Sequence, residues 1–318
     1  MKNKTKSFAA ALAVFLALLV FVAPVSAEGI TVTTEEDLRS NLSTSGTVIL
    51  GANIGVTNTL TILKETSVTL DLNGYTLSGI CNAGQGHLIM VSYGAVLNVT
   101  DTSVEKDGKI TYARGSSNVG WTIDLEGELN LYEGTIELTG DSWSIGYAVD
   151  VRPNAWGTEY TQPTVFHMYD GKLVSSDAAI RVASSSYASY PNVAAAFVMD
   201  DGEIDAAWDG IFIQQSDAAY DTLTVEINGG TISSALSPIR IYGPDATSVN
   251  SGAQKPMSLT ITGGEFINTE FDKTKTWIID KAILLGGGMS KENLKQYTSI
   301  EISGGTFDGD VSEYVADG

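Results

Sequence analysis

The chain has one cysteine in 318 residues, Cys81, so no intrachain disulfide can form. Stability has to come from a hydrophobic core, for which the length is ample. Basic residues are scarce: 18 Lys and Arg stand against 38 Asp and Glu, a net charge of −20. That balance repels nucleic acid and anionic membrane surfaces and favours divalent cations or basic partners; its simplest consequence is solubility. Histidine is limited to His87 and His167, far apart in the chain. Long apolar runs are absent with one exception. "FAAALAVFLALLVFVA" follows Lys2, Lys4 and Lys6 and leads to the small residues "VSA" at Val25 to Ala27. This is the pattern of a cleaved export signal over residues 1–27 rather than of a membrane anchor, and no cysteine follows it for lipid attachment. The mature chain is expected to be soluble and extracellular, with no membrane contact.

What is present in abundance is repetition. "SLTITGGEF" at Ser258 to Phe266 returns as "SIEISGGTF" at Ser299 to Phe307. Seven segments share the form apolar, any, small or acidic, Gly, any, apolar, although the first lacks its leading apolar residue. Their glycines are Gly108, Gly134, Gly171, Gly202, Gly230, Gly264 and Gly305, and "LNGYTL" adds an eighth corner with Gly74 one place early. The spacings, 26 to 41 residues, are those of a stacked architecture with loops of variable length. A second strand recurs between corners: "WTIDLE", "YAVDVR", "AAIRVA", "DGIFIQ", "SPIRIY" and "KAILLG". Each places two apolar residues two apart, which predicts one buried and one outward face. The glycine is expected to supply a positive φ at the bend.

Coils of this kind bury their apolar faces only by stacking, with backbones about 4.8 Å apart. The expected fold is all-β, a right-handed parallel β-helix of about eight coils with short helical caps. Residues 28–67 supply an N-terminal cap and first strands. "TTEEDLRSNL" reads there as an amphipathic helix capped by Thr34, with Leu38 and Leu42 on one face. Residues 68–309 form the β-helix. "DVSEYVADG", residues 310–318, reads as a helical C-terminal cap that starts at Asp310, with Val311, Tyr314 and Val315 on one side, or as the start of a linker.

This organisation resembles the parallel β-helix proteins of the pectin-lyase-like class. "VTLDLNGYTLSG" and the repeated "GGTI" and "GGTF" corners resemble exported, adhesin-like bacterial surface proteins. The resemblance implies a polysaccharide, a host glycan or a surface protein as partner, and a site on an exposed sheet flanked by loops. The Gly-His-Gly and Arg-Ile-Lys segments of polygalacturonase-like members are missing.

On the outward face of the second recurring strand the pattern places Asp124, Asp150, Arg181, Phe212, Arg240 and Leu284 in one row. Glu126, Arg152, Ala183, Gln214, Tyr242 and Gly286 lie in the next. Opposite charges one coil apart form either ladder pairs or part of a site. The loops that leave this strand carry Trp156, Tyr160, Tyr187, Tyr190 and Tyr220, rings that either pack under their own loops or stack on sugars. A non-catalytic carbohydrate-binding strip is the first expectation. The alternatives are a polysaccharide lyase or glycoside hydrolase using Asp124, Asp150 and Arg181, and a structural spacer. A retaining glycosidase needs carboxyls about 5–5.5 Å apart, near the rung spacing that separates Asp124 from Asp150. No organic cofactor is indicated. Asp107, Glu133, Asp170 and Asp201 precede corner glycines and suit either tight turns or a calcium-binding edge.

Overall fold

A computed structural model describes residues 29–81, 86–114, 119–140, 145–153, 162–184, 194–214, 222–243, 257–269, 282–287 and 298–315. The strands form three parallel sheets of ten, eight and nine strands, each adding every third strand in chain order except that the ten-stranded sheet opens with two consecutive strands. This is a right-handed parallel β-helix, eight full coils long with partial turns at both ends. Each coil runs through an approach strand, a glycine corner, an exit strand and, after a connection, an interval strand. The eight interval strands are Leu60–Ile62, His87–Val91, Val119–Leu125, Ile145–Val151, Ala178–Ala183, Asp209–Gln214, Ser237–Gly243 and Ile283–Gly287.

Alternation drives the stack. Ile123, Val149, Ile180, Ile211, Ile239 and Ile283 pair rung to rung and are all buried. They belong to one continuous core that runs from Val32 to Val311. Gly134, Gly171, Gly202, Gly230, Gly264 and Gly305 hold φ between +80° and +100°, where a side chain is strained. They also stack closely. The carbonyl of Gly171 accepts from Glu203 N at 2.9 Å, and that of Gly202 from Thr231 N at 2.9 Å. A Cβ on Gly202 would lie 2.6 Å from the Gly171 oxygen. Gly108 departs from the expectation. Its φ is not positive; Lys106, at φ +56°, makes the bend instead. Gly108 is needed for space, because a Cβ there would meet Leu72 Cβ and Asp101 Oδ2 at 2.6 Å.

The N-terminal cap, helix α1 (Glu35–Leu42), has Thr34 as its N-cap, with Oγ1 accepting from Asp37 N at 3.1 Å. Leu38 and Leu42 close the core. At the other end the expected helix is a single 3-10 turn, Ser312–Tyr314. Asp310 Oδ1 does accept from Ser312 N at 2.9 Å. Val315, expected on the apolar side, instead bridges Ile302 in parallel and is 50 % exposed, because the chain here returns to the stack direction. Residues 1–28 lie outside the described residues. Among those described, no helix is long and apolar enough to cross a membrane.

Candidate functional site: the outer face of the interval sheet

Parallel pairing in the interval sheet is in register over the whole row. Asp124 pairs with Asp150, Asp150 with Arg181, Arg181 with Phe212, Phe212 with Arg240 and Arg240 with Leu284. Residues scattered over 160 positions thus share one strip. Three of the five arginines of this acidic chain, Arg152, Arg181 and Arg240, lie on it.

The strip divides into a covered half and an open half. Asp150 is fully buried, and Asp124 is 6 % exposed. Both were expected to face solvent. Arg181 grips Asp150 in a fork, Nε to Oδ1 at 2.7 Å and Nη2 to Oδ2 at 2.5 Å. Arg152 Nε stands 3.7 Å from the same carboxylate. The Arg181 guanidinium also lies 4.6 Å over the Tyr147 ring, and its Nη1 reaches Gln214 Oε1 at 3.5 Å. Burial pushes the Asp124 carboxyl up to about 7; Asp150 beside it adds to the rise, and Arg152 opposes it. Burial likewise raises Asp209 to about 6 against the pull of Arg240, whose Nη1 is 3.2 Å away.

The open half carries half-buried Phe212, Gln214, Arg240 and Tyr242. The Arg240 guanidinium lies 5.4 Å from the Phe212 ring centre and 5.9 Å from that of Tyr242. The two rings meet edge to face at 5.9 Å. Such contacts hold rings and cation in fixed positions without covering them. Arg152 and Glu126 are half-buried at the margin. Trp156, Tyr160, Tyr187, Tyr190 and Tyr220 lie outside the described residues.

The acidic row before the corners does turn chemistry. Asp170 Oδ1 accepts from Gly171 N at 2.7 Å, and Asp201 Oδ1 from Gly202 N at 2.8 Å. Glu133 pairs with Lys106, and Asp107 is exposed. Among the described residues no three Asp, Glu, His or Cys side chains converge as a metal ion would need.

Two features of the face were not anticipated. His87, which lies outside the recurring strands read from the sequence, begins the interval strand upstream of Val119–Leu125 and pairs with Trp121. Trp121 in turn pairs with Tyr147. The signal was present as Gly-His, Gly-Trp and Gly-Tyr at residues 86–87, 120–121 and 146–147. The glycines make room: a Cβ on Gly86 would lie 2.9 Å from the Trp121 ring, and one on Gly146 2.7 Å from Leu138. The second feature is a brace beside the strip. Arg114, 6 % exposed, donates to Asp177 Oδ2 at 3.1 Å and Ser176 Oγ at 3.0 Å, and Gly146 N donates to the same Asp177 oxygen at 2.9 Å.

The chain matches no protein-family model, no curated protein and no solved structure. The geometry of the face therefore carries the functional argument.

Proposed function

We propose that this is an exported β-helical module of the pectin-lyase-like, adhesin-like kind that binds carbohydrate, without cleaving it, on the outer face of its interval sheet. The observation that carries this reading is the open half of the strip, where Phe212 and Tyr242 flank the Arg240 guanidinium with Gln214 alongside. Rings offer their faces to the C–H side of a sugar, while guanidinium and amide groups bind its hydroxyls. Within the covered half, the Arg181–Asp150 pair is the scaffold. The Arg181–Asp150 fork fixes the row from which the open half projects.

One observation favours an enzyme as the second reading: a carboxyl raised to about 7, as at Asp124, suits a general acid. Its neighbour argues the other way. Asp150 is fully buried and held by Arg181, so it has neither the access nor the free lone pairs of a nucleophile or a water-activating base.

Glycan-array binding by the wild-type chain and by a Phe212→Ala/Tyr242→Ala variant tests the first reading. The expected result is selective binding that the variant loses while its Tm stays within about 3 °C of wild type. Product analysis of the glycans bound on the array distinguishes the second reading, which requires new reducing ends. A chain silent on the array would be a structural spacer.

A further inference from the structure

The upstream end of the strip holds two buried, unpartnered nitrogens, His87 Nδ1 and Trp121 Nε1, beside the nearly buried Asp124 carboxyl. His87 Nδ1 stands 3.3 Å from Asp124 Oδ2, but in a geometry that makes no hydrogen bond. Trp121 Nε1 is buried with no partner among the described residues. The Asp124 side chain is 8 % exposed and makes no hydrogen bond among the described residues. The rings of His87 and Trp121 are neighbours, 6.4 Å apart and tilted by 35°. The fit against Gly86 fixes the indole, which is itself half-buried. A buried polar atom without a partner costs free energy, so the two on these adjacent rungs are a cost to the fold that a bound molecule would relieve.

We propose that His87, Trp121 and Asp124 form a distinct subsite that takes one uncharged, hydroxyl-bearing sugar unit at the upstream end of the strip. The proposal rests on the carbohydrate-binding reading above and specifies what this end of the strip accepts. The indole supplies a stacking surface and an N–H in search of an acceptor; the imidazole and the carboxyl supply the remaining contacts to hydroxyl groups. Charge selects the ligand. Asp150 and Glu126 face Asp124 from the next rung and from the end of its own strand, so an anionic sugar would be repelled. The nearby cations do not reverse this. Arg181 is committed to Asp150 by two hydrogen bonds, and Arg152 lies against the same carboxylate.

The protonated form of Asp124 is the one that donates to a sugar oxygen. Burial, and then the Asp150 carboxylate, push its carboxyl up to about 7, while burial lowers the His87 imidazole below its ordinary value. The groups that face Asp124 are therefore His87 upstream, Glu126 on its own strand, Asp150 and Arg152 on the next rung, and Arg181 beyond. Above pH 6.5 Asp124 is the member of the subsite expected to change charge.

The test is calorimetric titration of the full chain with neutral gluco-, manno- and galacto-oligosaccharides and with the matching uronic acid oligomers, at pH 6.5 and pH 8.5. The wild-type chain is expected to lose about tenfold in affinity for a neutral oligomer at the higher pH. Asp124→Asn, neutral at both values, should show the same affinity at both. Trp121→Phe keeps a ring and deletes the donor, and should weaken binding about three- to tenfold at either pH. A flat wild-type profile, an Asp124→Asn variant that keeps the pH dependence, an unaffected Trp121→Phe, or a preference for uronates would each overturn the subsite. If Tyr242→Ala abolishes binding while Trp121→Phe and Asp124→Asn behave as wild type, the strip stands and the subsite falls. If no oligomer binds at either pH, both fall.

Discussion

The glycine corners and the outer face of the interval sheet belong to the same coils and follow opposite rules. At the corner, six glycines in succession share φ values within 20° of one another, and the carbonyls of the first five bond to the next coil. On the interval face the equivalent row reads Asp, Asp, Arg, Phe, Arg, Leu, with no residue type kept for more than two rungs. The first region does what every coil needs in order to stack. The second does something only particular coils need, and that difference is what marks it as the place to look for function. It also carries the more expensive interactions. A fully buried carboxylate needs a partner that the fold alone does not call for, since apolar side chains would stack as well at that position.

The sharpest way to test this contrast is to break the Arg181–Asp150 fork. Asp150→Ala leaves a guanidinium that is 13 % exposed without its partner and should destabilise the chain by about 3–5 kcal/mol in urea unfolding. Replacing both residues with methionine should recover most of that loss, because the desolvation cost disappears with the charges. If the double variant is as unstable as the single one, the pair holds the stack together and the interval face is no different in kind from the corner.

Much of this contrast was legible in the sequence. The corners could be counted because Gly is required there twice over, by φ and by the closeness of the coil beneath, so little else is tolerated. The register of Asp124, Asp150 and Arg181 followed from paired apolar residues such as Ile123 and Leu125, since period two fixes both faces at once. Burial was not legible. Alternation says that Asp150 points away from the core; it does not say that Arg181 and Arg152 lie over it. Nor did alternation find His87, whose strand lies in an interval with fewer repeat signals, or the Arg114–Asp177 brace, whose partners are 63 residues apart and belong to no common row. At the C-terminal cap spacing resolves only part of the arrangement: Val311, Tyr314 and Val315 have helical spacing, but the helix is one 3-10 turn and parallel pairing with Ile302 claims Val315.

A smaller effect is expected at the corner. Gly230 has φ +80°, and a Cβ there would lie 2.6 Å from the carbonyl oxygen of Gly202 and 2.4 Å from the end of Met199. The methionine can move; the carbonyl is part of the ladder and cannot. Gly230→Ala should cost about 2–3 kcal/mol, combining left-handed strain with the displaced rung. The same loss is expected from Gly171→Ala and Gly202→Ala, whose φ values are +89° and +100° and whose Cβ atoms would meet the preceding glycine oxygen at 2.8 and 2.6 Å. Equal costs at three coils would mark a repeated function of the backbone. Costs that differ several-fold would mean that the corner, too, is individual.

The smallest effect is expected where charges pair without burial. Lys172 Nζ lies 2.8 Å from Glu203 Oε2 on adjacent exit strands, with the two side chains 41 % and 63 % exposed. In geometry this rung-to-rung pair resembles the Arg181–Asp150 fork, and in solvent it is the reverse. Water already stabilises both charges, and salt screens their attraction. Lys172→Met should therefore shift stability by less than about 1 kcal/mol, and 0.5 M salt should remove most of the difference from wild type. The Asp150→Ala loss, by contrast, should persist in 0.5 M salt, because the stranded guanidinium is shielded from the counterions that screen an exposed pair. Measured side by side, the two variants separate a ladder pair that decorates the stack from one buried within it; similar salt responses would show that exposure does not divide the two faces after all.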